Sequence, residues 1–122
     1  FRNVTGVQTC ALPISHLAGA TDRLLTYARG EALNDVQKAA AAAEKTLEST
    51  RPTVEALLAS LHRGIDAALE QMSKTPESSL LDPREVGRAK LPTTVLGSIF
   101  HAAEHAARHA GQVVTTAKVV RA

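Results

Sequence analysis

The chain has 122 residues, with 14 Lys and Arg against 12 Asp and Glu, and a formal net charge of +2 at pH 7. This length suits one domain with one hydrophobic core, while the dispersed, nearly balanced charges and only 2% aromatic residues argue against a nucleic-acid partner. No apolar run reaches the roughly 20 residues of a membrane-spanning helix, so we expect no membrane partner, and frequent alanine favours helices over sheets.

Residues 1–14 differ in character from the rest of the chain. They contain scattered β-branched residues, Gly6 and Pro13 without an amphipathic period, so we expect no regular helix there. Residues 4–14 resemble, at every position, an in-frame translation of a common short-read sequencing adapter. We therefore predict that 1–14 is a non-native, disordered or irregular segment and that the helical domain covers 15–122. Without it the chain has no cysteine, which suits a cytoplasmic protein.

The first two predicted helices follow directly. Ser15 can cap a helix over about 15–29, and Gly30 stands where a left-handed C-terminal cap is expected. Its apolar positions recur at helical spacing: Leu17, Ala20, Leu24 and Ala28. A second, alanine-rich helix begins at Asn34 or Asp35.

The second half of the chain has the strongest amphipathic pattern. After Pro52 a helix is predicted over about 53–73, with one apolar stripe made of Val54, Leu57, Leu58, Leu61, Ile65, Ala68, Leu69 and Met72. Prolines and glycine then predict a long loop over 74–92, which we interpret as a lid over a site. The longest helix is predicted to begin at Pro92 or Thr93 and to reach about Val120. The predicted fold is all-α, an antiparallel up-down helical bundle.

Three histidines lie in the last predicted helix at spacings of four: His101, His105 and His109. Positions four apart on a helix differ in direction by about 40°, so neighbouring imidazoles can meet at one ion. His101, Glu104 and His105 match the inverted zinc-peptidase pattern, in which the glutamate is a general base, although no third ligand is visible downstream. The other interpretation is a metal site at His105 and His109, with Gln112 one turn further on as a hydrogen-bonding partner.

The motif His105-x-x-x-His109-x-Gly-Gln112 resembles the last-helix motif of the DinB-like metal-binding four-helix-bundle superfamily. The segment from His16 to Tyr27 is similar to that family's second helix, which begins with the first metal histidine, and Val86–Pro92 to the segment before its last helix. The likeness covers about 15–122. It implies that His16, His105 and His109 bind one divalent ion, with Zn, Ni, Fe or Mn compatible, and that a coordination position stays open.

The resemblance also has a consequence for the start of the bundle. The family's first helix should precede His16, where this chain has the adapter-like segment. We therefore expect a DinB-like four-helix bundle that lacks its first helix and exposes an apolar groove. Such a surface favours self-association, with a homodimer as one form.

For function, the resemblance implies thiol chemistry on a small-molecule substrate, such as transfer of bacillithiol or mycothiol-dependent isomerisation. The expected protein is a metal-dependent thiol S-transferase, or a hydrolase, that uses a low-molecular-weight thiol cofactor, because no native cysteine would supply the sulfur. Arg88, with Lys90, is the expected contact for an anionic thiol. The alternatives are a non-catalytic metal-binding or stress-response module that acts through association, and a structural bundle with packed histidines.

Overall fold

The computed structural model describes residues 2–46 and 52–121. This part of the chain forms four α-helices, which are α1 (Arg2–Ala28), α2 (Asp35–Ala43), α3 (Val54–Lys74) and α4 (Val95–Arg121). Short 3₁₀ turns follow α2 at Glu44–Thr46 and α3 at Glu77–Ser79, and a hairpin of β1 (Pro83–Val86) and β2 (Leu91–Thr94) precedes α4. The predicted all-α fold is therefore confirmed. None of the described helices combines the length and hydropathy needed to cross a bilayer.

The first helix is longer than predicted. It begins at Arg2, so the expectation of an irregular segment before a helix start at Ser15 is corrected over residues 2–14. Pro13 removes one helical hydrogen bond. However, Pro13 is buried and Ala11 is only 4% exposed, so both continue the buried face that includes Leu17. The adapter-like origin of 4–14 stays a prediction.

Helix α1 lies at the centre of the bundle, and both α3 and α4 pack on it. Its buried side chains form one broad face, with Thr26 on the opposite side beside Gln37 of α2: Leu17, Ala20, Thr21, Leu24, Leu25, Thr26 and Ala28. Leu24 and Leu25 form the main core with Ala68 of α3 and Ala102 of α4. Since α1 contributes to every part of this core, its side chains set the relative position of the other two long helices.

The directions of the long helices follow from their contacts. Ala18 lies beside Gly64, and the Leu25 carbonyl accepts a hydrogen bond from Gln71 Nε2 at 2.9 Å, so α1 and α3 run parallel. Helix α4 runs antiparallel to both. Gln37 at the start of α2 contacts Thr26, and Glu44 just past its end contacts His16, so α2 runs back along α1. The four helices therefore alternate in direction along the chain, as predicted.

Local signals account for most helix ends. Gly30 has φ +78° and closes α1, because its N–H bonds to the Tyr27 carbonyl while the next N–H bonds to that of Thr26. Asn34 caps α2, as predicted. Helix α4 begins at Val95 instead of Pro92 or Thr93, because residues 91–94 pair with β1. The predicted loop 74–92 thus contains a strand and most of a hairpin.

The apolar stripe predicted as the core face of α3 is largely exposed. Within α3 only Leu57 and Ala68 are buried, whereas Leu58, Ile65 and Leu69 lie open to solvent. On α4, Phe100 is 71% exposed. Because α3 and α4 each pack on α1 and little on each other, the sides that α1 does not cover remain bare.

Candidate metal centre

Three imidazoles from two helices converge beside the middle of α1. His105 and His109, one turn apart on α4, have ring centroids 4.3 Å apart. His16 of α1 lies across from both, with centroid distances of 5.1 Å to His105 and 4.9 Å to His109. All three side chains are half-buried. The antiparallel packing of α1 and α4 therefore brings together the three histidines that the resemblance implied.

The ring nitrogens lie close enough together to share one ion, and one pair already has the spacing of a tetrahedral site. One nitrogen from each ring lies within 4.8 Å of the others. Metal–nitrogen bonds of about 2.0–2.1 Å at tetrahedral angles separate two ligand nitrogens by about 3.3 Å. The Nε2 atoms of His105 and His109 are 3.2 Å apart. The residues present thus fit a divalent ion.

Two outer hydrogen bonds orient the rings. The Nδ1–H of His109 donates to Gln112 Oε1 at 2.7 Å, and that of His16 donates to Glu44 Oε2 at 3.0 Å. A neutral imidazole that donates from Nδ1 presents the lone pair of Nε2. These partners therefore direct Nε2 of His16 and of His109 toward the shared centre. Gln112 stands in the contact expected of it.

Glu44 is a site residue that the sequence analysis missed. Its other oxygen accepts from Arg23 Nη1 at 2.8 Å, and its side chain is only 12% exposed, so one shielded carboxylate bridges His16 and Arg23. Gly19 makes room for it, because a Cβ there would collide with Glu44 Oε1. A glycine inside a predicted helix signals close approach of another group. The glycine alone does not identify that group as a carboxylate 25 residues further along the chain.

The surroundings of His105 favour its neutral form. Burial lowers the pKa of His105 below its ordinary value, and the nearby charges of His109, His16, Arg108 and His101 lower it further. Its buried Nδ1 has no hydrogen-bond partner among the described residues. Since a metal ligand must be deprotonated, this environment keeps His105 in its ligating form at neutral pH.

Other predicted candidates lie away from the cluster. His101 is exposed, with its ring 6.3 Å from that of His105, and is not one of the three converging residues. Glu104 is exposed and pairs with Arg108 at 3.3 Å. The arrangement that the inverted zinc-peptidase pattern requires, with the glutamate facing the ion, is therefore not formed. The fifth histidine of the chain, His62, is exposed on α3.

The hairpin does not cover the histidines, so the interpretation of residues 74–92 as a lid over the site is corrected. Arg84 Nε of β1 donates to the Ala28 carbonyl at 2.8 Å. Ala28 lies twelve residues beyond His16, which is about 18 Å along a helix. Arg88, in the hairpin turn, instead lines a cleft beside the end of α1. The hairpin stands there because Val86 packs against the core around Leu24 and Leu25.

Comparison with known proteins places the chain in a family context. The model of the family described as the DinB superfamily matches residues 1–113. No curated protein and no solved structure matches the chain.

Proposed function

The chain belongs to the DinB superfamily, and we propose that it binds one divalent metal ion through His16, His105 and His109. The observation that carries this proposal is the convergence of three ring nitrogens within 4.8 Å of one another, from two helices that pack antiparallel. The two Nδ1 hydrogen bonds, to Glu44 and Gln112, support it because they hold two of the rings in the ligating orientation.

The donor set suggests the class of ion. Three imidazoles without a thiolate suit zinc, nickel, iron or manganese. Three protein ligands also leave a coordination position for water or a substrate, as catalytic zinc sites do. Because neutral imidazoles add no charge, a bound ion keeps its full charge and can hold a small thiol as thiolate at neutral pH.

We further propose that the reaction is a thiol S-transfer to a small electrophile. Cys10 is the one cysteine in the chain, and it lies more than one helical turn from His16. The sulfur nucleophile is therefore a low-molecular-weight thiol cofactor. His16 and His109 would carry their protons on Nδ1, away from the shared centre, because Glu44 and Gln112 accept them there.

A second candidate is a non-catalytic metal-binding module. One observation favours it. Glu44 is the carboxylate in contact with the histidine cluster, and its two oxygens are occupied by His16 and Arg23. It is thus not free to accept a proton from a substrate, which a general base must do.

Metal titration of the purified chain tests the first proposal. Competition with a chromophoric chelator should give one zinc ion per chain, and His109→Ala should weaken binding by more than about 100-fold, since losing a ligand costs more than losing an outer partner. His101→Ala is the matched control and should bind zinc as the unaltered chain does. Equal affinity of the His109→Ala chain would overturn the metal site.

A thiol-transfer assay separates the two candidates. Metal-loaded and metal-stripped protein are compared in the consumption of a small electrophile with a panel of low-molecular-weight thiols. Turnover that requires both the metal and one thiol supports the transferase. Tight zinc binding without turnover for any thiol supports the non-catalytic module.

A further inference from the structure

A large cleft lies beside the C-terminal end of α1, away from the histidine cluster. Its volume is about 1070 Å³, just above the range of roughly 300–1,000 Å³ for small-molecule sites. Three segments form its walls: the end of α1 with the turn after it, α2 with the following 3₁₀ turn, and the hairpin. Because these segments are distant in sequence, the cleft is a product of the fold.

The lining of this cleft is strongly cationic. Six basic side chains line it, Arg23, Lys38, Lys45, Arg84, Arg88 and Lys90, against the two acids Glu31 and Glu85. The whole chain has a net charge of only +2, so this excess is local. Positive side chains gathered in one concave surface focus the field and attract anions.

Most of these cations have no internal counter-charge. Lys45, Arg88 and Lys90 form no ion pair with any described residue. Arg84 is held by two neutral carbonyls, at Ala28 and Pro83, which fix its guanidinium without neutralising it. The acid Glu31 forms its ion pair with Arg29, at 3.1 Å, and Arg29 does not line the cleft. The cleft therefore has several positive charges without an acidic partner among the described residues, and a small polyanion would neutralise them.

Two residues of the hairpin turn have left-handed backbone conformations. Gly87 has φ +77° and Lys90 has φ +49°, a region that residues with a Cβ seldom adopt. A turn that needed only to reverse the chain would favour Gly or Asn at the second of these positions. Here that position carries a lysine at the cleft.

We propose that this cleft binds a small organic anion with at least two carboxylate or phosphate groups. Its floor also contains Leu33, Ala41 and Ala42, which suit a short aliphatic body between the charged groups. The inference does not rest on the metal site, because none of its lining residues is a proposed ligand. Glu44 links the two regions, because both Arg23 of the cleft and His16 of the cluster contact it.

Calorimetric titration of metal-free protein at low ionic strength tests the proposal, with citrate and inorganic pyrophosphate as probes and acetate as the single-charge control. We expect saturable binding of at least one probe, citrate for a carboxylate ligand and pyrophosphate for a phosphate ligand, and none of acetate. The double variant Arg88→Ala/Lys90→Ala should weaken it at least about tenfold, since two charge-assisted contacts are lost. The matched control Arg63→Ala/Lys118→Ala removes the same charge elsewhere and should change the affinity less than about twofold.

Lys45→Ala, in a different wall, should also weaken binding, and it keeps the test valid if the hairpin variant misfolds. Two results would overturn the proposal: no saturable binding of either probe, or equal weakening in the control variant. Because the protein is metal-free throughout, failure here leaves the metal proposal untouched.

Discussion

Glu44 shows how a single carboxylate can orient one histidine of this cluster. It accepts the Nδ1–H of His16 at 3.0 Å and is itself held by Arg23. An outer carboxylate fixes the tautomer and raises the basicity of a metal-binding histidine. His16 is also the one histidine of the three that α4 does not supply, so its orientation depends on this contact.

Replacing Glu44 should therefore weaken the site without removing a ligand. We expect Glu44→Ala to reduce zinc affinity by about 10–100-fold and Glu44→Gln by less, because an amide oxygen can still accept from Nδ1. Chelator competition measures both. Glu104→Ala, which removes an exposed carboxylate paired with Arg108, is the control. Indistinguishable affinities for the Glu44→Ala and Glu104→Ala chains would show that the contact has no role in binding.

The pKa of His105 predicts a pH dependence of stability. Burial, and the charges around it, lower that pKa in the folded chain, while in the unfolded chain it has its ordinary value of about 6.5. As the pH falls through 6.5 the unfolded chain takes up this proton first, so the unfolded state gains stability relative to the folded one. Stability linked to His105 is thus fully present above about pH 6.5 and is lost on acidification through the lower folded-state pKa.

Urea unfolding of metal-free protein across this pH range measures the effect. The free energy of unfolding should decrease on acidification, and His105→Gln should flatten the decrease. A steeper decrease in the His105→Gln chain than in the unaltered one would contradict the assignment.

At the scale of elements, α2 is attached to α1 by one buried side chain. Gln37 Oε1 accepts from the N–H of Asn34 in the capping box, while its Nε2 donates to Asp22 Oδ2 and Thr26 Oγ1, both at 2.7 Å. The same residue therefore starts α2 and docks it. Docking in turn places Glu44, just past the end of α2, against His16.

Gln37→Ala should destabilise the fold by about 1–3 kcal/mol, because it leaves buried polar partners unsatisfied. Gln37→Glu retains the capping acceptor but loses the amide donor and faces the Asp22 carboxylate. We expect it to be at least as destabilised as the alanine variant in thermal unfolding. A Glu variant as stable as the unaltered chain would show that only the cap matters.

Sequence patterns predicted the elements best where a local signal sets the boundary. Asn34 and Gly30 act through their own backbone and nearest neighbours, so the end of α1 and the start of α2 could be read directly. The helix start predicted at Pro92 was wrong. Proline suits the first turn of a helix, but here Pro92 lies in a strand opposite Glu85, which depends on formation of the hairpin. The irregular segment predicted around Pro13 was wrong, because a buried helix tolerates the hydrogen bond that proline removes, whereas an isolated helix does not.

The site was predictable to a similar degree. Spacing by four places His105 and His109 on one side of a helix, but only the family resemblance pointed to His16. The role of Glu44 and the cationic cleft could not be predicted from the sequence, because both arise from contacts between segments that share no sequence pattern.

At the scale of the whole molecule, two of the long helices expose apolar side chains. These are Leu58, Ile65 and Leu69 on α3 and Leu96 and Phe100 on α4. Exposed apolar surface of this kind marks an association site or an aggregation liability. A second copy of the chain would cover it, and the possible homodimer thus remains a proposal.

Sizing with light scattering across a wide concentration range tests it. We expect a dimer or larger species, and Ile65→Glu/Leu69→Glu should shift the chain toward monomer, since charges on this face oppose burial. Val36→Glu, on the exposed side of α2, is the control. A chain that stays monomeric at every concentration would rule out the association.

The proposed metal site requires that residues of α1 and α4 bind the same ion. A crystal structure of the zinc-loaded chain with anomalous diffraction measures this most directly. We predict one anomalous peak per chain, with ring nitrogens of His16, His105 and His109 all at about 2.0–2.1 Å from it. An ion bound by His105 and His109 alone, with the ring of His16 turned away, would show that α1 takes no part in the site.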